Sequence, residues 1–397
     1  MRLIFKIQQT LWACAALLLM AVATGSVAAT NDGVIKVGVT ASLSGVYQEQ
    51  GESLLQGLQM WADDVNSRGA LLGQNVEIVK YDDESNPAKS AQLYERLITR
   101  DKVDLLVGPY ASNLTMNASD VAEKYQFPMV SGTAAAEAIW NRGYKNIFQV
   151  DLPAGEYMVD GLRIAKSHGV NNVGIVYQDN LFTRAVAMGA KAKAEELGME
   201  VLVYSGYSAN TKNFSTIVAD LAEVGAELVL GATYFDDSVA IVKEAKRQNY
   251  SPRNFGFTSG PSLAAFGDTL GADANNILGF TPWISGARKP MAFDFDFRYR
   301  RLYERRADSN AAGGYAAGEV LEAAVRLANS LDKDKVREQL KTMSFISIMG
   351  RYKVAESGKQ TGKAMYVIQW QDGRRHLVLP DHYAETVGRL FVPWDKR

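Results

Sequence analysis

In LLVGPYASNLT, residues 105–115, an apolar strand climbs to Gly108-Pro109, breaks into the small polar loop Tyr110-Ala111-Ser112-Asn113 and enters a helix. A strand end feeding a helix N-terminus leaves backbone N–H groups free, which makes a natural anion site. Ser112 either caps that helix or adds its hydroxyl to those N–H groups for a ligand, and the two roles are compatible. Carboxylates stand at similar junctions: Asp82-Asp83-Glu84 and Asp236-Asp237 each follow a strand and precede a helix. Acids there cap helices and favour the helix dipole. At the carboxyl edge of a sheet they can instead face a cleft and bind a cationic or hydroxyl group. Asp236 and Asp237 are the stronger cleft candidates, because they end a strand of the second half of the chain.

Catalytic patterns are missing. The sequence has no G-x-G-x-x-G, no G-x-x-x-x-G-K-[ST] and no G-x-S-x-G. Gly358-Lys359 and Gly362-Lys363 lack the Ser or Thr that a phosphate loop needs. The single cysteine, Cys14, lies in an apolar N-terminal run, and the histidines are His168, His376 and His382. His168-Gly169 reads as a helix C-terminus. His376 and His382 flank LVLPD with no third ligand near them, so no metal site is expected. An α/β hydrolase would need a nucleophile–base constellation, and none is found. No cofactor is expected and no enzymatic activity.

The elements that must position Ser112 and the acids alternate strand and helix. VIKVGVT, residues 34–40, is a buried type of strand; a helix follows with Leu54, Leu58, Trp61 and Val65 on one face. Strands are expected from Val76, at Asp104–Gly108 and at Phe127–Ser131, with Pro87 opening a helix between the first two. The alternation pauses over Gly143–Tyr157 and restarts, with strands beginning at Asn172, Glu200, Glu227 and Asn254, every 27 or 28 residues. Helices are expected over Phe293–Arg306, Gly314–Ser330 and Asp332–Met343, and a late strand at Ala364–Trp370. This is an α/β chain with two doubly wound parallel-sheet lobes. Ligands of such sheets bind outside the strand carboxyl ends, so facing lobes place the site in the cleft between them.

Bulk properties narrow the partners. The 397 residues are 47% hydrophobic and carry a formal net charge of −1, which offers no basic excess for nucleic acid. Arg2 and Lys6, the apolar run Leu11–Ala23 and the small residues Thr24–Ala29 read as a secretory signal peptide over 1–29, cut after Ala28 or Ala29. The mature chain then has no cysteine and no disulfide, and is expected in a bacterial periplasm.

The layout resembles the periplasmic solute-binding proteins of ABC importers, specifically the branched-chain amino acid and amide type (leucine-binding-protein-like). The carriers are IKVGVTASLSG, GLQMWADDVNSRGALLGQNVEIVKYDDESNP, VDLLVGPYASNLT, PMVSGTAAAEA and GYAAGEVLEAA. The resemblance implies a type I periplasmic binding protein, with two lobes joined by three crossovers: 34–152 plus 283–346, and 153–282 plus 347–397. It also implies a small carboxylate ligand, an inner-membrane ABC permease as partner, and a monomer. Ser112 falls on the family's ligand-binding serine. The adjoining loop reads Thr133-Ala134-Ala135-Ala136, with Ala135 in place of a threonine; its backbone N–H groups and the Thr133 hydroxyl remain available. Phe182 replaces a tyrosine, and Tyr234 matches another aromatic position.

Ser259 stands where the family carries the acid that pairs with a ligand ammonium. A serine cannot neutralise that charge, and burying an ammonium unpaired costs several kcal/mol. Either Asp236 or Asp237 supplies the charge, or the ligand has no α-amino group. Tyr47, Tyr110, Phe182, Tyr234 and Phe235 sit at loop positions that together suit a flat or aromatic acid. The function expected is capture of an organic or aromatic acid, or an amino acid, by hinge closure for an importer. The alternative is the same device serving a membrane signalling protein.

Overall fold

A computed structural model describes residues 33–285, 290–381, 384–389 and 394. The expected signal peptide and His382 lie outside the described residues. The first sheet holds β1 (Val34–Ala41), β2 (Asn75–Asp82), β3 (Leu105–Val107), β4 (Met129–Ser131) and β5 (Ile147–Gln149). They run parallel in the order β2-β1-β3-β4-β5. Between them lie α1 (Gln48–Ser67), α2 (Pro87–Thr99) and α3 (Ser112–Lys124). β5 falls in the stretch where the sequence pattern pauses. Its three residues, Ile147-Phe148-Gln149, are all buried but too few to show a period.

The second unit is α4 (Val159–Ser167), β6 (Asn172–Gln178), α5 (Leu181–Glu196), β7 (Glu200–Tyr207), α6 (Ser215–Glu223), β8 (Leu228–Ala232), α7 (Phe235–Arg247), β9 (Asn254–Phe257), α8 (Ala264–Leu270) and β10 (Leu278–Thr281). After it come α9 (Pro290–Tyr303), α10 (Ser309–Ala328), α11 (Lys333–Thr342), the two-stranded pair β11 (Phe345–Ser347) and β12 (Gly350–Tyr352), and the hairpin β13 (Tyr366–Gln371) with β14 (Arg374–Leu379). The second sheet is ordered β14-β13-β10-β9-β8-β6-β7. Its strands β6 to β10 are parallel, and β13 adds antiparallel to β10. Both parallel sheets therefore repeat one doubly wound order, the type I periplasmic-binding-protein architecture. No helix among the described residues is long and apolar enough to cross a membrane.

Local chemistry explains the helix starts. Asn86 caps α2 by accepting from the Ala88 and Lys89 N–H groups, with Pro87 at the first helical position. Asp82 and Asp83 do not cap that helix. Asp83 is buried and accepts from Thr40 Oγ1 at 2.8 Å and Ser42 Oγ at 2.6 Å, and Asp82 accepts from the Leu43 N–H and Ser44 Oγ. The pair thus ties the loop after β1 to the loop after β2. Burial pushes the Asp83 carboxyl above the usual range, against the hydroxyls that favour its charge.

The cores show where the chain changes lobes. Val150 packs in the first core and Leu152 in the second; Trp283 returns to the first. Residues expected to open the second lobe at 347 pack elsewhere: Ile348, Met349, Tyr352 and Val354 belong to the first core, and Met365 is the first to join the second. The β11–β12 pair covers α10 and α11 apolar surface, which its own short strands gave no periodic sign of. We place the third crossover between Gln360 and Met365.

Helices α1 and α10 close the first lobe at near backbone contact. A Cβ on Gly57 would lie 1.8 Å from the Ala311 carbonyl oxygen, and one on Gly314 would lie 2.0 Å from the Leu54 oxygen. Gly57→Ala is expected to cost ~1–3 kcal/mol by overpacking, seen as a lower urea midpoint with an unchanged slope.

Candidate functional site

In each sheet the strand order reverses between the first and third strands of the unit, β1 and β3 or β6 and β8, and the crevice opens at their carboxyl ends. Four loops meet there, carrying Tyr47, Tyr110-Ser112, Asn180-Phe182 and Tyr234-Asp237.

Ser112 is the first residue of α3, and the cap position is Ala111, which has no side-chain cap bond. The Ser112 hydroxyl instead reaches the loop after β4, where its Oγ accepts from the Ala135 N–H at 3.2 Å and the Ala136 N–H at 3.3 Å. Ala134, Ala135 and Ala136 are fully buried, and the Ala134 N–H is held by Ser131 Oγ at 3.3 Å. The Thr133 hydroxyl in the same loop is buried and has no hydrogen-bond partner. A buried orphan hydroxyl costs free energy unless something external completes it.

The aromatic groups bridge the lobes. Tyr47 meets Tyr110 edge-on, with ring centroids 5.5 Å apart. The hydroxyls of Tyr110, from the first lobe, and Tyr234, from the second, interact with one another, and burial pushes both well above the usual phenol range. Asn180 donates to Tyr234 Oη at 3.4 Å and to Gln178 Oε1 at 3.1 Å. Gln178 donates to Asp237 Oδ2 at 3.0 Å, and Tyr207 donates to the same oxygen at 2.8 Å. Burial raises the Asp237 carboxyl, while those two donors pull it back. Phe182, at the start of α5, is edge-on to Tyr157 at 5.2 Å. Asn180 caps that helix through the Phe182 and Thr183 N–H groups.

The two acids divide. Asp237 is buried and committed to Tyr207 and Gln178; Asp236 is exposed on the first turn of α7. Ser259 is half-buried where β9 ends, and its carbonyl accepts from Ser262 Oγ at 2.9 Å. Phe235 packs at the margin of the core beneath β8. Ser112, Tyr110 and the loop from Thr133 to Ala136 thus lie together in the first lobe, with the Ala135 side chain packed in the second core, while Phe182 and Tyr234 come from the second lobe. Asn180, Gln178 and Tyr157 escaped the sequence reading. The Asn180 signal is present in the cap-like spacing of QDNLFT, whereas Tyr157 shows no pattern. No cluster of metal-ligating residues occurs among the described residues.

A family model described as periplasmic binding protein matches residues 34–375. The chain belongs to that family. It is 26% identical over 394 residues to Leu/Ile/Val-binding protein homolog 7 of Brucella suis, covering 94% of this chain and 98% of that protein. Among solved structures it is similar to the branched-chain amino acid transporter substrate binding protein LivJ of Streptococcus pneumoniae in complex with isoleucine. That match has 19% identity and a TM-score of 0.76, and it covers 88% of this chain and 100% of the other. It is also similar to an R. palustris solute binding protein in complex with benzoate, with 20% identity and a TM-score of 0.75, covering 90% of this chain and 99% of the other. The chain is a leucine-binding-protein-like periplasmic binding protein of the ABC-transporter kind, with an extracytoplasmic solute-binding role. Its homologues are solute-binding proteins rather than enzymes.

Replacing Ser112 by alanine removes the acceptor for two buried N–H groups. The ligand-free Ser112→Ala protein is expected to lose ~1–3 kcal/mol, read as a lower urea midpoint, while Ser112→Thr, which keeps the hydroxyl, loses less.

Proposed function

We propose that this protein is the periplasmic solute-binding component of an ABC importer, that it captures a small organic or aromatic acid, and that its lobes close on the ligand by a hinge motion. The observation that carries the ligand class is the split of polar groups between the two walls. One side presents the Ser112 hydroxyl and the N-terminus of α3, with the partnerless Thr133 hydroxyl in the loop that Ser112 holds, a set that suits a carboxylate. The other wall offers neutral groups: the Tyr234 hydroxyl, the Phe182 ring and Ser259. Asp237 is spent on Tyr207 and Gln178, and Asp236 points its charge into solvent rather than being buried against the cleft. An α-ammonium would therefore enter a wall without an uncommitted carboxylate. The likeness to folds that hold both isoleucine and benzoate leaves either chemistry compatible with the architecture.

In this reading Ser112 and Thr133 hold the carboxylate, with Ala134 and Ala135 shaping the loop that presents it. Tyr110, Tyr234 and Phe182 enclose the apolar body. Hinge closure gives the membrane permease a loaded form distinct from the empty one.

Mature protein, unfolded and refolded to remove carried ligand, is expected to gain thermal stability with benzoate or a hydroxybenzoate. Saturation at a hundred times the dissociation constant adds about 2.7 kcal/mol. Leucine and isoleucine are expected to produce no shift. A shift with leucine and none with aromatic or short organic acids would overturn the ligand class. With the binding acid in hand, Thr133→Val is expected to weaken affinity ~10-fold by calorimetry, the size of one lost charge-assisted hydrogen bond.

A further inference from the structure

Two of the chain crossings carry opposite charges at the points where the cores change. Asp151 stands between Val150, in the first core, and Leu152, in the second; Lys363 stands two residues before Met365, the first second-core residue of the third crossing. The crossings are bound together by more than charge. The Lys363 ammonium donates to the Val150 carbonyl. The Gln360 N–H donates to Gln149 Oε1 at 3.1 Å, and the Gln149 N–H donates to the Gly358 carbonyl at 2.9 Å. Asp151 is buried; its Oδ1 accepts from the Leu152 N–H at 2.6 Å and its Oδ2 from Tyr157 Oη at 2.9 Å. Tyr157 in turn lies edge-on to Phe182 on the second-lobe wall of the cleft.

We propose that Asp151 and Lys363 form a charged latch across two of the three crossings, and that Asp151 is a positioning residue that sets the preferred lobe separation and places Tyr157 against Phe182. The proposal rests on the two-lobe solute-binding reading but requires no ligand. With Asp151 ionised, its attraction to Lys363 makes the two crossings turn as one unit. With Asp151 neutral, that attraction is gone and the crossings are held by the glutamine and backbone bonds alone.

The latch is therefore sensitive to pH. Burial raises the Asp151 carboxyl, with Lys363, the Tyr157 hydroxyl and the Leu152 N–H opposing it, to about 6. Attraction is present above that value and lost as pH falls through it. The other charged and titratable groups in range are Glu319, whose carboxyl feels Lys363 and is itself raised by burial to about 7, and Glu137 and Tyr110, which act on Tyr157. Lys359, just before the third crossing, acts on Glu137.

Lobe separation in the ligand-free protein tests this without presuming any solute. Past Cys14 the sequence has no cysteine, so Val46→Cys and Asn210→Cys, both at exposed positions on opposite lobes, accept a pair of spin labels. The interlabel distance distribution is expected to broaden towards longer distances on going from pH 8 to pH 5, with a midpoint near 6. Asp151→Asn, which keeps an acceptor for Tyr157, is expected to abolish the transition. Lys363→Met removes the partner charge at every pH, and is expected to give the broad, long-distance distribution at both pH 8 and pH 5. Glu319→Gln is expected to leave the transition in place. A distribution that does not change between pH 5 and 8, or a transition that survives in Asp151→Asn, overturns the latch. Neither result bears on which solute binds.

Discussion

A parallel sheet lets its chain go only at strand ends, and the loops released there carry backbone N–H groups with no neighbouring strand to receive them. Buried donors must find acceptors or remain costly. The cleft of this protein is organised by that requirement. At the end of β4 the chain turns through four consecutive residues, Thr133 to Ala136, of which the last three have nearly no exposed surface. Three of their N–H groups are satisfied by serine hydroxyls, from Ser131 and from Ser112. Small alanine side chains let the loop approach α3 closely enough for Ser112 to reach it. In this loop the Thr133 hydroxyl is left without a partner.

The same constraint explains why the second wall is made differently. There the strand-end donors and acceptors are taken up by long side chains that bond among themselves. Asn180 caps α5 with its carbonyl and uses its amide on Gln178 and Tyr234. Gln178 passes the order on to Asp237. The phenol of Tyr234 then meets that of Tyr110 from the opposite lobe. One side is a row of small, buried residues whose backbone N–H groups are held by serine hydroxyls; the other is a set of aromatic and amide groups bonded among themselves. The acid proposed as ligand, with a charged end and a flat body, is the kind of molecule that division would suit.

Much of this was legible in the residues. Ser112 and Tyr110 could be placed because their loop joins an apolar strand to a helix start, and Thr133, Phe182 and Tyr234 through the family resemblance; longer strands such as β1 and β8 show their own pattern. The doubly wound repeat was legible for the same reason. β5 and the β11–β12 pair were not, since these short strands fall outside the regular strand–helix alternation that marks β3 and β4. The state of the acids was hidden for a different reason. Asp82, Asp83, Asp236 and Asp237 look alike as residues after a strand. Asp83 is bound by hydroxyls from Thr40 and Ser42, more than forty positions away, and Asp237 by Tyr207, thirty positions away. Only tertiary packing decides which carboxylate is spent and which is free. Asn86 and Asn180, by contrast, have their capping role in local sequence spacing, since each caps the helix that starts at the next residue.

Asp237 also shows why a buried acid near a cleft need not be a counter-ion. Burial raises the energy of its charged form, and the Tyr207 hydroxyl and Gln178 amide lower it again. A ligand ammonium competing for Asp237 would have to displace at least one of those donors and leave it unpaired in a buried place. The carboxylate therefore acts by fixing donors. With Gln178 Nε2 held on Asp237, Gln178 must turn its Oε1 towards Asn180, and Asn180 must then present its amide to Tyr234. The charge stays one layer behind the wall, and what reaches the cleft is the orientation of a phenol.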